Sequence, residues 1–127
     1  MLRIAALVGL MATQAAAQVV EISNCAFEHR ESSSFVLCDA LNMSETAIAG
    51  LRYSVVISQS DRTVPWDKTR DDRPLGQNVD GGIEPNETRN LLFWFGDISK
   101  DANKDALIAK IEIVSATDVN GDEIAAE

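Results

Sequence analysis

Two long segments of the sequence carry an apolar residue at every second position. Residues 51–57 have leucine, tyrosine, valine and isoleucine at their odd-numbered positions, and residues 107–113 have leucine, alanine and two isoleucines there. This period places the apolar residues on one face of a β-strand, because successive side chains of a strand point to opposite sides. No stretch shows the sustained spacing of an amphipathic helix, so the sequence predicts an all-β domain.

The most apolar run of the remaining chain is LLFWF, residues 91–95. Neither set of alternating positions in this run contains a polar residue. Either both faces of this strand are covered, or Leu92 and Trp94 form an exposed patch. Further strands are predicted at residues 19–28 and 35–42, and three apolar residues of the second share one face. About six to seven short strands separated by turn formers predict an immunoglobulin-like antiparallel β-sandwich.

Residues 59–82 break the alternation with a run of charged and turn-forming residues. This segment is predicted to be a long loop that includes a short edge strand at residues 63–66 and a turn at Gly81-Gly82. Unstructured loops of this length are often functional, so we expect binding here. The polar connection that begins at Asp97 is expected to hold a helical turn capped by that residue.

The first 17 residues have the features of a secretory signal peptide. They contain one positive charge, Arg3, then an apolar run of about nine residues, then Ala15 and Ala17 at the spacing of a cleavage site before Gln18. The apolar run is shorter than the about 20 residues needed to span a bilayer. We therefore predict a leader at residues 1–17, a single domain at residues 18–127, and a periplasmic or secreted location.

Cys25 and Cys38 are the only cysteines of the chain. If the first two strands form a hairpin with its turn near residues 31–32, Cys25 lies directly opposite Cys38 at bridging distance. The predicted export to an oxidising compartment also favours a disulfide. Closing a loop of about 14 residues would stabilise the fold by roughly 3 kcal/mol. A redox or metal-binding thiol pair is disfavoured, because no C-x-x-C spacing is present.

The chain has 20 acidic and 11 basic residues and a formal net charge of −9. Nucleic acids and anionic membrane surfaces are bound through clustered lysine and arginine, so neither is an expected partner. No later segment is long and apolar enough for membrane insertion, and no motif calls for a cofactor.

Three short segments stand around the alternating strand through Tyr53 and Ile57. They are Asn42-x-Ser44-x-x-Ala47-Ile48, then Asp61-Arg62-x-Val64, and finally Ile83-x-Pro85-Asn86-Glu87-Thr88. With these segments, residues 35–95 resemble the small extracytoplasmic FxLYD-type domains of bacteria. The family usually has glycine where this chain has Asn86, and its aromatic strand corresponds here to the strand through Tyr53 and Ile57. The resemblance implies an immunoglobulin-like fold, an extracytoplasmic location and a binding or accessory role, with no shared catalytic residue.

Groups for catalysis are scarce. His29 is the only histidine, it lies in the predicted hairpin loop, and no serine has the G-x-S-x-G context of a nucleophile. A catalytic zinc site, which is usually rich in histidine, is therefore not expected. The sequence predicts that the protein is not an enzyme, and a small hydrolase with an unrecognised site is kept as an alternative.

Calcium binding is a second alternative, as part of a structural domain. Carboxylate and amide oxygens recur at alternate positions in two acidic segments, and this spacing is typical of a calcium loop. The first segment has alanine where the loop needs glycine, and the second ends before its twelfth position, so solvated acidic turns are the simpler interpretation. The residues are Asp101, Asn103, Asp105 and Glu112 in the first, and Asp118, Asn120 and Asp122 in the second.

Tryptophan and arginine are the residues that most often anchor protein interfaces. They cluster in the long loop, and Trp94 lies in the apolar strand. The sequence therefore predicts a secreted or periplasmic binding module whose partner is another extracytoplasmic protein. The candidate contact residues are Trp66, Arg62, Arg70, Arg73 and Trp94.

Overall fold

The computed structural model describes residues 19–30 and 33–125. The predicted leader, residues 1–17, and the hairpin turn, residues 31–32, lie outside the described residues. No helix within the described ranges is long and apolar enough to cross a membrane. The elements in chain order are β1 (Val20–Arg30), β2 (Ser33–Asn42), β3 (Ile48–Gln59), β4 (Asp67–Lys68), β5 (Leu75–Ile83), β6 (Thr88–Gly96), a 3₁₀ helix (Lys104–Ala106) and β7 (Leu107–Thr117).

The strands form two antiparallel sheets. The first has the order β1-β2-β6, and in the second the central strand β3 pairs with β7 along one edge and with β4 and β5 along the other. Buried side chains from both sheets form one hydrophobic core. Strands β1, β2 and β6 correspond to A, B and E of the immunoglobulin arrangement, and β3 and β7 to C and F. The predicted antiparallel all-β sandwich of about six to seven strands is confirmed, and the structure has seven strands in the described residues.

The two alternating segments of the sequence are β3 and β7, which pair along nearly their full length. Leu51, Tyr53, Val55 and Ile57 are all buried, as their spacing predicts. In β2 the core side is formed by small residues of even number, from Ser34 to Asn42, while the larger apolar residues face outward. Side-chain size therefore does not identify the buried face of β2.

Strands β1 and β2 form the predicted hairpin, in which residues 26–30 pair with residues 33–37. A bulge then sets Asn24 and Cys25 opposite the single residue Cys38, and Asn24 takes the left-handed conformation with φ of 53°. Asparagine tolerates this conformation better than most residues. The disulfide between Cys25 and Cys38 is present, with Cα atoms 4.1 Å apart, and it indicates an oxidising environment.

Residues 59–82 are more ordered than the sequence predicts. The short edge strand is β4, so its placement at residues 63–66 is wrong, and all of β5 except Ile83 lies in the predicted loop. Both strands pair with β3 through backbone hydrogen bonds. β5 lacks an obvious hydrophobic pattern because only Val79 and Ile83 are buried.

Gly81 and Gly82 form a bulge inside β5, so the predicted turn is wrong. Between Asn78 and Ile83 the strand has more residues than the facing part of β3. Both glycines have positive φ, 79° and 70°, and a Cβ at Gly82 would lie 2.9 Å from the carbonyl oxygen of Ile48. Only glycine fits this second position without displacing the backbone.

Asn42 joins three segments at the end of β2. Its fully buried side chain donates from Nδ2 to the carbonyl oxygens of Thr46 and Ile83, at 2.9 and 2.8 Å. Its Oδ1 accepts from the backbone N and Oγ of Ser44, at 2.9 and 2.8 Å. Its backbone N–H donates to Glu87 at 3.0 Å. The Asn-x-Ser segment therefore has a structural role in holding this end of the sandwich together.

Candidate functional site

The outer face of the first sheet carries four large apolar side chains. The register of β2 and β6 sets Phe35 opposite Trp94 and Leu37 opposite Leu92. The alternate residues of both strands are buried in the core, so these four lie on the solvent side. Trp94 is 46% exposed and the other three are half-buried. We call these four residues the outer patch. Of the two alternatives for residues 91–95, the structure therefore has the exposed patch.

Tyr53 supports the outer patch from inside the sandwich. It is buried on β3, and its ring packs edge-to-face on Phe93 with centroids 4.9 Å apart. Its hydroxyl donates to the carbonyl oxygen of Trp94 at 3.0 Å. Burial raises the pKa of the Tyr53 hydroxyl, which keeps this donor protonated. The backbone under the exposed tryptophan is therefore tied to the second sheet.

The charged side chains described on the outer face of β1 and β2 are acidic. Glu21, Glu28 and Asp39 lie on the same face, since they are opposite or alternate with residues of the patch strand β2. Asp39 accepts hydrogen bonds from the side chains of Asn24 on β1 and Asn90 on β6, at 3.1 and 2.9 Å. These two bonds lower the pKa of Asp39 and keep it ionised. The face thus combines an apolar centre with carboxylates around it.

A groove of about 420 Å³ opens beside the outer patch, between β5 and β6, and Leu37 and Leu92 form part of its wall. Arg89 spans the same gap. Its guanidinium donates from Nη1 to the carbonyl oxygen of Gly82 at 2.6 Å and from Nη2 to that of Asp80 at 3.2 Å. These bonds fix the bulge of β5 against β6, so one wall of the groove is held in place.

Trp66 and Arg62, predicted as contact residues, are brought together near the end of β3. The Arg62 guanidinium carbon lies 4.3 Å from the centroid of the Trp66 ring. Trp66 Nε1 donates to Gln59 Oε1 at 2.9 Å, and the same oxygen accepts the backbone N–H of Asn103 at 2.9 Å. Gln59 is buried, and its Nε2 donates to Asp61. We call Gln59 and the residues around it, Asp61, Arg62, Trp66 and Asn103, the Gln59 cluster. Trp66 is half-buried there, and its indole N–H is already hydrogen-bonded.

Arg70 and Arg73 lie in the turn between β4 and β5, where the backbone N–H of Arg73 donates to the carbonyl oxygen of Arg70. Arg70 forms an ion pair with Asp72 at 3.1 Å, and both side chains are mostly exposed. Exposed pairs of this kind contribute little to stability. The five predicted contact residues therefore occupy three places: the Gln59 cluster, this turn, and the outer patch with Trp94.

The acidic segments considered for calcium have other local roles. Asn103, rather than the predicted Asp97, caps the 3₁₀ helix, and its side chain accepts the N–H of Asp105 at 3.1 Å. The Asp118 carboxylate accepts two backbone N–H groups of the turn that follows it. Within residues 19–30 and 33–125, no group of three or more histidine, cysteine, aspartate or glutamate side chains could hold a metal ion.

Phe35 and Leu37 are the members of the outer patch that sequence reasoning does not single out. The only available signal is the apolar face they share in the predicted strand at residues 35–42. Recognising them as partners of Trp94 and Leu92 requires the register between two strands about 55 residues apart in sequence, which a local pattern does not contain. The side chain of His29, the single histidine of the sequence, lies outside the part of the chain that is described.

No model of a known protein family matches the chain, and no curated protein matches it. The resemblance to FxLYD-type domains stays a prediction drawn from residues 35–95.

Proposed function

We propose that the protein is a periplasmic or secreted binding module without catalytic activity, and that it contacts a partner protein through the outer patch. The observation that carries the proposal is the pairing of Trp94 with Phe35 on the solvent side of a sheet. Soluble domains rarely leave a cluster of large apolar side chains exposed unless another surface covers it. Tryptophan is also among the residues that contribute most to binding energy.

The chemistry around the outer patch indicates the kind of partner. The described charges on that face are the carboxylates of Glu21, Glu28 and Asp39, and the whole chain has a net charge of −9. Complementary charges steer association and favour correct partners. We therefore expect the partner to present apolar side chains flanked by lysine or arginine.

Export from the cytoplasm is part of the same proposal. The Cys25–Cys38 disulfide is typical of an oxidising compartment, and the first 17 residues have the composition of a signal peptide. Fractionation of the native host, with N-terminal sequencing of the recovered protein, tests this part. Intact residues 1–17 on a cytoplasmic protein would contradict it.

Site-specific photo-crosslinking in the native host tests the contact surface. A benzophenone amino acid replaces Trp94, and the matched control carries it at Val119, an apolar residue that is 79% exposed in a turn. We expect position 94 to give one discrete adduct with another extracytoplasmic protein, and position 119 to give none. Absence of an adduct from position 94, or the same adduct from both positions, would contradict the proposal.

The purified partner then allows an affinity measurement. Removing an anchor residue commonly costs at least about 2 kcal/mol, so Trp94→Ala should weaken binding by roughly 30-fold or more. Val119→Ala should leave the affinity unchanged, and far-ultraviolet circular dichroism with thermal melting checks that each variant is folded. If Trp66→Ala abolishes binding while Trp94→Ala does not, the contact surface is the Gln59 cluster instead.

A further inference from the structure

The outer edge of β7 is open along most of its length. β7 pairs with β3 on one side. On the other side, among residues 19–30 and 33–125, the last residues of β7 have partners: Thr117 pairs with Glu123, and Ala116 accepts the N–H of Ile124 at 2.8 Å. Within the described chain, residues 107–115 have no strand on this edge. An unpaired edge of this length is a template for another strand.

The solvent face of the open edge is unusual in composition. Ile108 is 55% exposed and Val114 is 45% exposed, and between them lie the exposed residues Lys110 and Glu112. Edge strands usually avoid exposed apolar side chains, because such strands associate. Along this face the side chains at positions 108, 110, 112 and 114 are apolar, positive, negative and apolar. The positive and the negative residue stand on either side of Ile111.

We propose that two copies of the chain form a symmetric dimer by antiparallel pairing of β7 with β7, with the two-fold axis at Ile111. In this register Lys110 of each copy lies opposite Glu112 of the other. Ile108 of each copy likewise lies opposite Val114 of the other. A two-fold contact uses the same surface on both copies, so every favourable pair occurs twice.

Other registers are less favourable. A shift of one residue would place the core-facing residues of one copy on the solvent side. A shift of two residues in one direction sets Lys110 of one copy opposite Lys110 of the other. A shift of two residues in the other direction does the same for Glu112. Like charges directly opposite each other destabilise a strand pair. Only the register centred at Ile111 joins opposite charges and apolar residues at the same time.

The core side of the open edge fits the same register. Ile111 of one copy lies opposite Ile111 of the other, and Ala109 of each copy lies opposite Ile113 of the other. Apolar side chains therefore meet on this side as well. All three pack against the hydrophobic core, and Ala109 and Ile111 are only partly buried. Beside them, a cleft of about 270 Å³ opens between residues 25–27 of β1 and residues 107–109 of β7. The second strand would lie along the mouth of this cleft.

A charge exchange tests both the dimer and its register. The full chain is expressed with its leader, and the disulfide-bonded protein is studied by sedimentation velocity from about 1 μM to about 1 mM, the range in which weak dimers become populated. We expect wild-type protein to dimerise. Lys110→Glu and Glu112→Lys should each weaken the dimer by at least about tenfold, because each turns two attractive pairs into two repulsive ones.

The double variant Lys110→Glu/Glu112→Lys should regain the wild-type dimer, since it restores opposite charges in the same register. An equimolar mixture of the two single variants should form a mixed dimer for the same reason. Lys100→Glu makes the same charge change at an exposed residue away from β7 and is the matched control. Thermal melting checks that all variants are folded.

Three results would overturn the proposal. Wild-type protein that stays monomeric to about 1 mM excludes the dimer. If neither Lys110→Glu nor Glu112→Lys weakens the dimer, this register is excluded. It is also excluded if each single variant weakens the dimer and the double variant does not restore it. A dimer that is lost with Trp94→Ala but retained with Glu112→Lys places the contact on the outer patch instead of β7.

Discussion

Replacing Asn42 by alanine is expected to lower the free energy of unfolding by roughly 2–4 kcal/mol. The side chain is fully buried and forms four hydrogen bonds of 2.8–2.9 Å. After truncation the Ser44 N–H loses its acceptor and the Ile83 carbonyl loses a donor, whereas the Thr46 carbonyl keeps the Ser44 hydroxyl at 2.9 Å. A buried polar group left unpaired costs about 1–3 kcal/mol, and two such groups in the lower half of this range give the stated loss.

Urea unfolding followed by tryptophan fluorescence measures this loss, and the melting temperature should fall by roughly 8–16 °C at about 4 °C per kcal/mol. Asn90→Ala is the matched control. Asn90 is exposed and donates mainly to Asp39, so its removal should change stability by no more than about 0.5 kcal/mol. An Asn42→Ala protein as stable as this control would refute the argument that the buried amide holds the end of the sandwich together.

Three further outcomes follow from the contacts described above. Replacing both Cys25 and Cys38 by alanine should cost about 3 kcal/mol in urea unfolding, because the unfolded chain regains the freedom of a loop of about 14 residues; an unchanged midpoint would contradict this. Tyr53→Phe should cost about 0.5–1.5 kcal/mol in urea unfolding through loss of its hydrogen bond to Trp94, with the far-ultraviolet circular dichroism of the folded sheets unchanged. The pKa of Asp39 is lowered from its ordinary value of 3.8, so its ionised form stabilises the fold above that pH, and the contribution is lost as the pH falls through the lowered value. Stability measured from pH 7 down to about pH 2 should therefore decline more steeply for wild type than for Asp39→Asn, and parallel curves would exclude this role.

The sequence predicts the central strands well because their two faces differ. β3 buries Leu51, Tyr53, Val55 and Ile57 and leaves mainly polar residues outside, so its period is visible without any tertiary information. The disulfide is also predictable from local sequence, because the position of the hairpin turn decides which residues of the two strands face each other. The bulge at Asn24 adds one residue without separating the two cysteines.

The edge strand β5 escapes prediction because its order comes from backbone pairing with β3 and from few buried side chains. Gly81 and Gly82 suggest a turn in sequence, whereas their positive φ angles serve a bulge within the strand. The environment of Trp66 is also invisible locally, since the Gln59 acceptor lies on β3 and also binds Asn103, 44 residues further along the chain.

The site is predictable only in part. Trp94 can be identified from composition, but an apolar strand with one covered face has the same local sequence as one covered on both faces. The register of β2 against β6, which sets Phe35 beside Trp94, decides between them.

Asn42 and Asn86 each begin an Asn-x-Ser/Thr sequence, the acceptor for N-linked glycans in eukaryotic secretion. Asn86 is exposed in the turn between β5 and β6, whereas the Asn42 amide uses both of its hydrogens inside the fold. A sugar on Asn42 would replace one of these hydrogens and would have no room at a fully buried position. Folded protein secreted by a eukaryotic host is therefore expected to carry a glycan on Asn86 alone, which its intact mass would reveal.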